Sequence, residues 1–170
     1  MKPVKRQIRV DGDVAYVPLT KGYEAVIDAS MVDVVSGFNW SAQEDRNKDG
    51  TVRSVYALRL FQGKKIRLHR QLVCAPSGYD VGHIDGDGLN NRMSNIRVCT
   101  HAENSYNQGI RPNNKVGIKG VWARPSGSFQ SKIRHNGKVL HLGTFASAEQ
   151  AGAAYADASV RLHGEYGRIN

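Results

Sequence analysis

The chain has 170 residues, 40% hydrophobic and 23% charged, with a formal net charge of +9 and a pI of about 9.8. That length holds one ordinary domain or two small ones, and no N-terminal apolar stretch or long apolar run points to a secretory signal or a membrane span. Cys74 and Cys99 form no Cys-x-x-Cys pair, so neither a zinc knuckle nor a disulfide framework is suggested, and a reducing cytosol fits. The basic excess favours a polyanionic partner, nucleic acid being the commonest. It is uneven: residues 1–106 hold 15 Lys+Arg against 12 Asp+Glu, and residues 107–170 hold 9 against 3.

In chain order, Val14–Leu19 and Glu24–Ile27 read as short strands flanking Thr20-Lys21-Gly22. Asp28 or Ser30 is placed to cap a short helix through Val35. Trp40, Phe38 and Tyr56 read as core residues, and no chemistry is evident in residues 1–60. Val52–Phe61 and Lys64–Leu68 flank Gln62-Gly63 as a hairpin. His69–Cys74 is a helical turn stopped by Pro76 and Gly78. The polar segment from Asn107 to Lys115 reads as a linker. Beyond it, Ile118–Arg124, Ser128–Arg134 and Lys138–Phe145 read as three strands, with Asn136-Gly137 as a hairpin turn. Ser147 stands three residues before Gln150 as a helix start, and Gly164 suits the residue after its end. Ala148, Ala151, Ala154, Tyr155, Ala158 and Leu162 share one helical face.

The chemistry concentrates in Gly82-His83-Ile84-Asp85-Gly86-Asp87-Gly88-Leu89-Asn90-Asn91-Arg92-Met93-Ser94-Asn95, followed by Thr100-His101-Ala102-Glu103-Asn104. A strand is expected to end at His83, the Asp-Gly-Asp-Gly loop to turn the chain, and Asn95–Thr100 to return as a second strand. Thr100 and Glu103 form a capping box, with Asn104 in the first helical turn. Phosphodiester hydrolysis needs a base to activate water and a cation to stabilise the leaving oxygen. A neutral histidine suits the first task because its ordinary pKa is about 6.5. Oxygen-rich side chains suit a hard cation.

From Leu68-His69-Arg70-Gln71-Leu72 to Asn107 the sequence resembles the His-Asn-His (HNH) endonucleases, in particular their homing branch. The resemblance implies a ββα-metal fold, with His83 as general base, Asn104 as a metal ligand and Asn95 orienting the base or the scissile phosphate. It also implies a divalent metal, Mg²⁺ with Mn²⁺ as the alternative. His69 is a weaker phosphate-contact reading, packing of its helix being the other. Gly82 departs from the family pattern, which usually has an acidic or amide ligand beside the base. Three readings stay open: Asp85 or Asp87 reaches in, the metal is held by Asn104 with water and DNA phosphate, or the site is impaired.

On the C-terminal sheet, alternation puts Trp122, Arg124, Gln130, Lys132, Arg134 and His141 on the face away from the helix. A basic face with an aromatic suits a major groove. Residues 116–170, through Lys119-Gly-Val-Trp-Ala-Arg124, Ile133-Arg134, His141-Leu-Gly-Thr-Phe145 and Leu162-His-Gly164, resemble the ethylene-response-factor (apetala-type) DNA-binding domain. By position this implies DNA contacts at Lys119, Trp122, Arg124, Lys132, Arg134 and His141. Ser126 stands where a tryptophan is common, and Trp122 where an arginine is common.

The expectations are therefore an α+β chain with an HNH nuclease domain at 1–106, a linker at 107–115 and a three-stranded antiparallel sheet on one helix at 116–170. The functional expectation is a site-specific homing endonuclease acting on double-stranded DNA as a monomer or homodimer, in the cytoplasm of a bacterial or phage-infected cell. The alternative is a DNA-binding regulator with a dead HNH domain. An RNA-binding role has only the charge behind it.

Overall fold

The structure is a computed structural model that describes residues 5–169. It is mixed α and β, with several small sheets and four α-helices. The chain divides into two compact units, Met1–Val98 and Cys99–Asn170.

The first unit opens with an antiparallel meander of β1 (Arg9–Asp11), β2 (Val14–Pro18) and β3 (Glu24–Asp28). Ala15 and Val17 on β2, with Ala25 and Ile27 on β3, alternate into the core as a half-buried strand demands. The short helix α1 (Val32–Val35) follows, preceded by a 3₁₀ turn. Asp28 does not cap that turn, because its carboxylate is engaged elsewhere. A second sheet joins β4 (Ser41–Arg46), β5 (Val52–Phe61) and β6 (Lys64–Arg67). The turn between β5 and β6 has Gln62 and Gly63 both at positive φ, as a two-residue hairpin requires.

Helix α2 (Leu68–Leu72) buries Leu68, His69 and Leu72. Strands β7 (Asp80–His83) and β8 (Ile96–Cys99) pair as a separate two-stranded sheet around the Asp-Gly-Asp-Gly loop. Trp40 is fully buried and donates its indole N–H to Val35 O, the core role its sequence context suggests.

The second unit begins with α3 (His101–Tyr106), started by the expected Thr100–Glu103 capping box. Its sheet has the order β11-β10-β9, from β9 (Val121–Ala123), β10 (Phe129–His135) and β11 (Lys138–Phe145). Helix α4 (Ala148–His163) starts at Ser147, whose hydroxyl accepts from Gln150 N, and stops before Gly164 at positive φ. Tyr155, Ala158 and Leu162 on α4 pack with Ile133 and Leu142 of the sheet. Strand β9 is shorter than its sequence suggests, because β10 pairs with only Val121, Trp122 and Ala123.

Helix α3 is fastened within this unit by aromatic stacking. The Tyr106 ring lies 3.7 Å from that of His163, nearly parallel, with His135 stacked beside both. Its hydroxyl accepts from Asn136 N at 3.1 Å.

Candidate active site and nucleic-acid face

His83 ends β7 and is 7% exposed. Its Nε2 lies 3.2 Å from Asn91 Oδ1. The Asn91 amide cannot reverse without loss, because its Nδ2 donates to Leu89 O at 2.9 Å and to Gly88 O at 3.4 Å. Its oxygen therefore faces the ring as an acceptor, which puts the imidazole proton on Nε2 and the basic lone pair on Nδ1. Burial pushes the His83 pKa down, against the Asn91 bond and the charges of Asp85 and Asp87, which pull it up. The ring is thus held neutral in one tautomer near pH 7.

His69, on α2, stands edge-on to His83 at 5.0 Å. It is 3% exposed and its Nδ1 has no hydrogen-bond partner. Burial, helped by His83 and the nearby Arg67 and Arg70, holds its pKa down at about 3. Tyr56 of β5 completes the aromatic wall, 5.9 Å from His69 and 6.0 Å from His83. Sequence reading puts Tyr56 in the core and sees no chemistry before residue 60; its ring instead flanks the histidine pair.

The loop after His83 is a closed polar network. Asn95 Nδ2 donates to Asp85 Oδ1 and to Asn90 O, and its Oδ1 accepts from Asp85 N. The Asp85 carboxylate also accepts from Asp87 N and Asn90 Nδ2. Asn95 thus shapes the loop, whereas Asn91 touches the His83 ring. No sequence spacing singled out Asn91, although Asn90-Asn91 after a glycine-rich turn was the signal available. The N-terminal meander holds the same loop: Val26 N donates to Leu89 O, and Asn91 N donates to Val26 O. Arg92 pairs with Asp28 and Asp13. Gly88 presses on β5, where a Cβ would come within 2.4 Å of Val55 O.

The residues offer a divalent metal little. Gly82 is buried in β7 and has no side-chain oxygen. The Asp85 carboxylate is occupied by loop donors, and Asp87 Oδ1 accepts from Leu89 N. Among the described residues no three His, Cys, Asp or Glu side chains form a metal-holding group. Asn104 lies in the first turn of α3, in the second unit, and supplies a neutral amide. This donor set does not fit a firmly held dication, which wants carboxylate oxygen.

In the second unit the pairs Gln130↔Trp122, Lys132↔His141 and Arg134↔Val139 share the open sheet face, while Val121, Ser131 and Ile133 are buried on the other. Trp122 is 42% exposed, and Arg124, Arg134 and His141 are exposed. Lys119 is different. Its Nζ donates to Tyr106 O at 2.7 Å and Arg168 O at 2.9 Å, and burial pushes its pKa down to about 8. It ties the end of α3 to the C-terminal segment and does not join the open face.

Comparison with known proteins agrees with the geometry of the histidine loop. Residues 75–106 match the profile of the family described as HNH endonuclease. An uncharacterized HNH endonuclease, L560, of Acanthamoeba polyphaga mimivirus is 27% identical over 157 residues, covering 88% of this chain and 76% of that protein. Protein 3.8 of Escherichia phage T7 is 30% identical over 95 residues, covering 55% of this chain and 78% of that protein. The buried His83 lies inside that matched segment, so the chain carries an HNH endonuclease domain at residues 75–106.

Proposed function

We propose that this chain is a DNA-directed HNH endonuclease of the homing type whose hydrolytic centre is weakened at Gly82. The observation that carries the nuclease reading is the His83–Asn91 pair: a neutral imidazole with its proton fixed on Nε2 presents Nδ1 as a base for water. Asn95 acts as a positioning residue through Asp85, and His69 with Tyr56 shields the ring from bulk water. Residues 1–106 form the nuclease part and 107–115 the connection. Residues 116–170 form the DNA-reading part, with an apetala-type sheet offered to the major groove through Trp122, Arg124, Lys132, Arg134 and His141. Lys119 supports that part from inside.

The resemblance calls for Mg²⁺ or Mn²⁺, with Asn104 as one ligand. The remaining donors do not fit such an ion well. The same misfit favours a second reading, a DNA-binding regulator with a dead nuclease domain. Plasmid nicking separates the two. We expect slow nicking of supercoiled DNA by the parent chain, abolished in His83→Ala with DNA affinity unchanged. Nicking that survives His83→Ala overturns the assignment of the base. No nicking by the parent under Mg²⁺ or Mn²⁺, with binding intact, favours the regulator.

A further inference from the structure

The second unit contains a cleft of roughly 640 Å³ that the open sheet face alone does not explain. Strand β9 begins only at Val121, opposite Ser131, and Lys132 N donates to Gly120 O just before it, so this edge of β10 from Ile133 onward has no neighbouring strand. Tyr106, Gly120, Ile133, Tyr155 and His163 line this gap. Gly120 is indispensable there: at φ +76 a Cβ would lie 2.0 Å from the Tyr155 ring. One wall carries Trp122, Lys132 and Arg134. The other is the 105–114 segment, with Gln108, Arg111 and Asn113.

That segment reads as a linker in the sequence, but it is pinned. Asn114 Nδ2 donates to Ile118 O and Val121 O, and its Oδ1 accepts from Val116 N and Gly117 N. Tyr106 at its start is held by the aromatic stack and by Lys119. The wall is therefore preformed, and its ordering entropy is met before any ligand arrives.

The chemistry of the lining is one-sided. Arg111, Lys132 and Arg134 supply cationic donors, Trp122 an indole N–H, and Gln108 and Asn113 amides, while no acidic side chain is among the described lining residues. A polyanion is the complement. The volume admits the backbone of one strand rather than a whole duplex, and the cleft opens beside the exposed Trp122 and Arg134.

We infer that residues 108–113 form a second DNA-contacting wall, in which Arg111 grips a phosphodiester backbone against Lys132 and Arg134 while the sheet face occupies the groove. This rests on the DNA-binding reading above and assigns a contact role to a segment outside both recognisable domains.

The test is fluorescence anisotropy with a labelled mixed-sequence duplex and the full chain, over a salt series. Arg111→Ala is compared with Arg111→Lys and with Arg161→Ala, a charge removed from the exposed side of α4. Arg111 is exposed, so its variants should melt as the parent does. Arg111→Ala should weaken binding about five- to tenfold and lower the log K against log salt slope by about 0.9. Arg111→Lys should stay within about twofold, and Arg161→Ala should match the parent. Equal losses in Arg111→Ala and Arg161→Ala would reduce the effect to net charge and overturn the inference. A parent that binds with salt dependence, beside an unaltered Arg111→Ala, would overturn it while sparing the DNA-binding reading. A parent that ignores duplex DNA at low salt would sink both. Preference for the single-stranded oligonucleotide, with the Arg111 effect confined to it, would overturn the duplex assignment.

Discussion

The histidine loop of the first unit and the sheet face of the second treat polar atoms in opposite ways. Around His83 the amides and carboxylates are satisfied by one another, so the loop has one shape, and burial keeps His83 and the neighbouring His69 neutral near pH 7. On the second unit Trp122, Arg124 and His141 stand out from the surface, and the net charge of residues 107–170 is +6. The first arrangement suits chemistry, where geometry must be set before substrate arrives. The second suits capture of a polyanion, where long-range attraction matters more than fit. Lys119 shows that the division is by environment: a lysine in the basic unit is turned inward and used as a structural donor.

The largest expected effect probes the neutral histidines. His69 is held at about 3 against an ordinary 6.5, so between those values the unfolded chain binds a proton that the folded chain refuses. Stability present above pH 6.5 is therefore lost as pH falls toward 3, at up to about 1.4 kcal/mol per pH unit, with His83 adding in the same direction. Urea unfolding from pH 7 to 4 should show this slope, and His69→Leu should flatten it. An equal slope in the variant would place the acid sensitivity elsewhere.

Gly88→Ala should come next. The Cβ would meet Val55 O and the Tyr56 ring, so a cost of about 1–3 kcal/mol is expected, felt in the first unit. Residual nicking should fall while duplex affinity holds. Loss of affinity to the same degree would mean that the two functions are not separable. Asn91→Ala should remove the acceptor of the His83 Nε2 proton at a cost of about 1–3 kcal/mol. Imidazole ¹⁵N shifts should then move from a single Nε2-protonated form to a mixture; an unchanged spectrum would show that Asn91 does not set the tautomer. The smallest effect is expected on the second unit. Lys119→Met should leave the salt slope of the parent unchanged, whereas Lys132→Ala should lower it by about 0.9. A matching loss in Lys119→Met would return Lys119 to the DNA contacts.

Much of the local structure was readable from residue type. The Thr100–Glu103 box, the Asn136-Gly137 turn and the apolar stripe of α4 obey short-range rules and appear where those rules put them. Strand β4, with Ser41-Ala-Gln-Glu-Asp-Arg46, has no apolar alternation to announce it. It exists because β5 pairs with it along its length, a nonlocal cause. The same holds at the site. His83 was marked by its spacing, but Asn91, Tyr56 and the Val26, Asp28 and Asp13 supports reach the loop through folding of distant segments. The inward turn of Lys119 was equally hidden, since its partners are backbone carbonyls that any sequence possesses.

The most direct test of the proposal that this site keeps its base and lacks an acidic ligand is to restore that ligand. Supercoiled plasmid is incubated with the parent, Gly82→Asp and the Gly82→Asp/His83→Ala double variant in Mg²⁺, after melting curves verify that each is folded. Gly82→Asp should nick about tenfold faster than the parent or more, and the double variant should be silent. Equal nicking by the parent and a folded Gly82→Asp would contradict the claim that Gly82 limits this site.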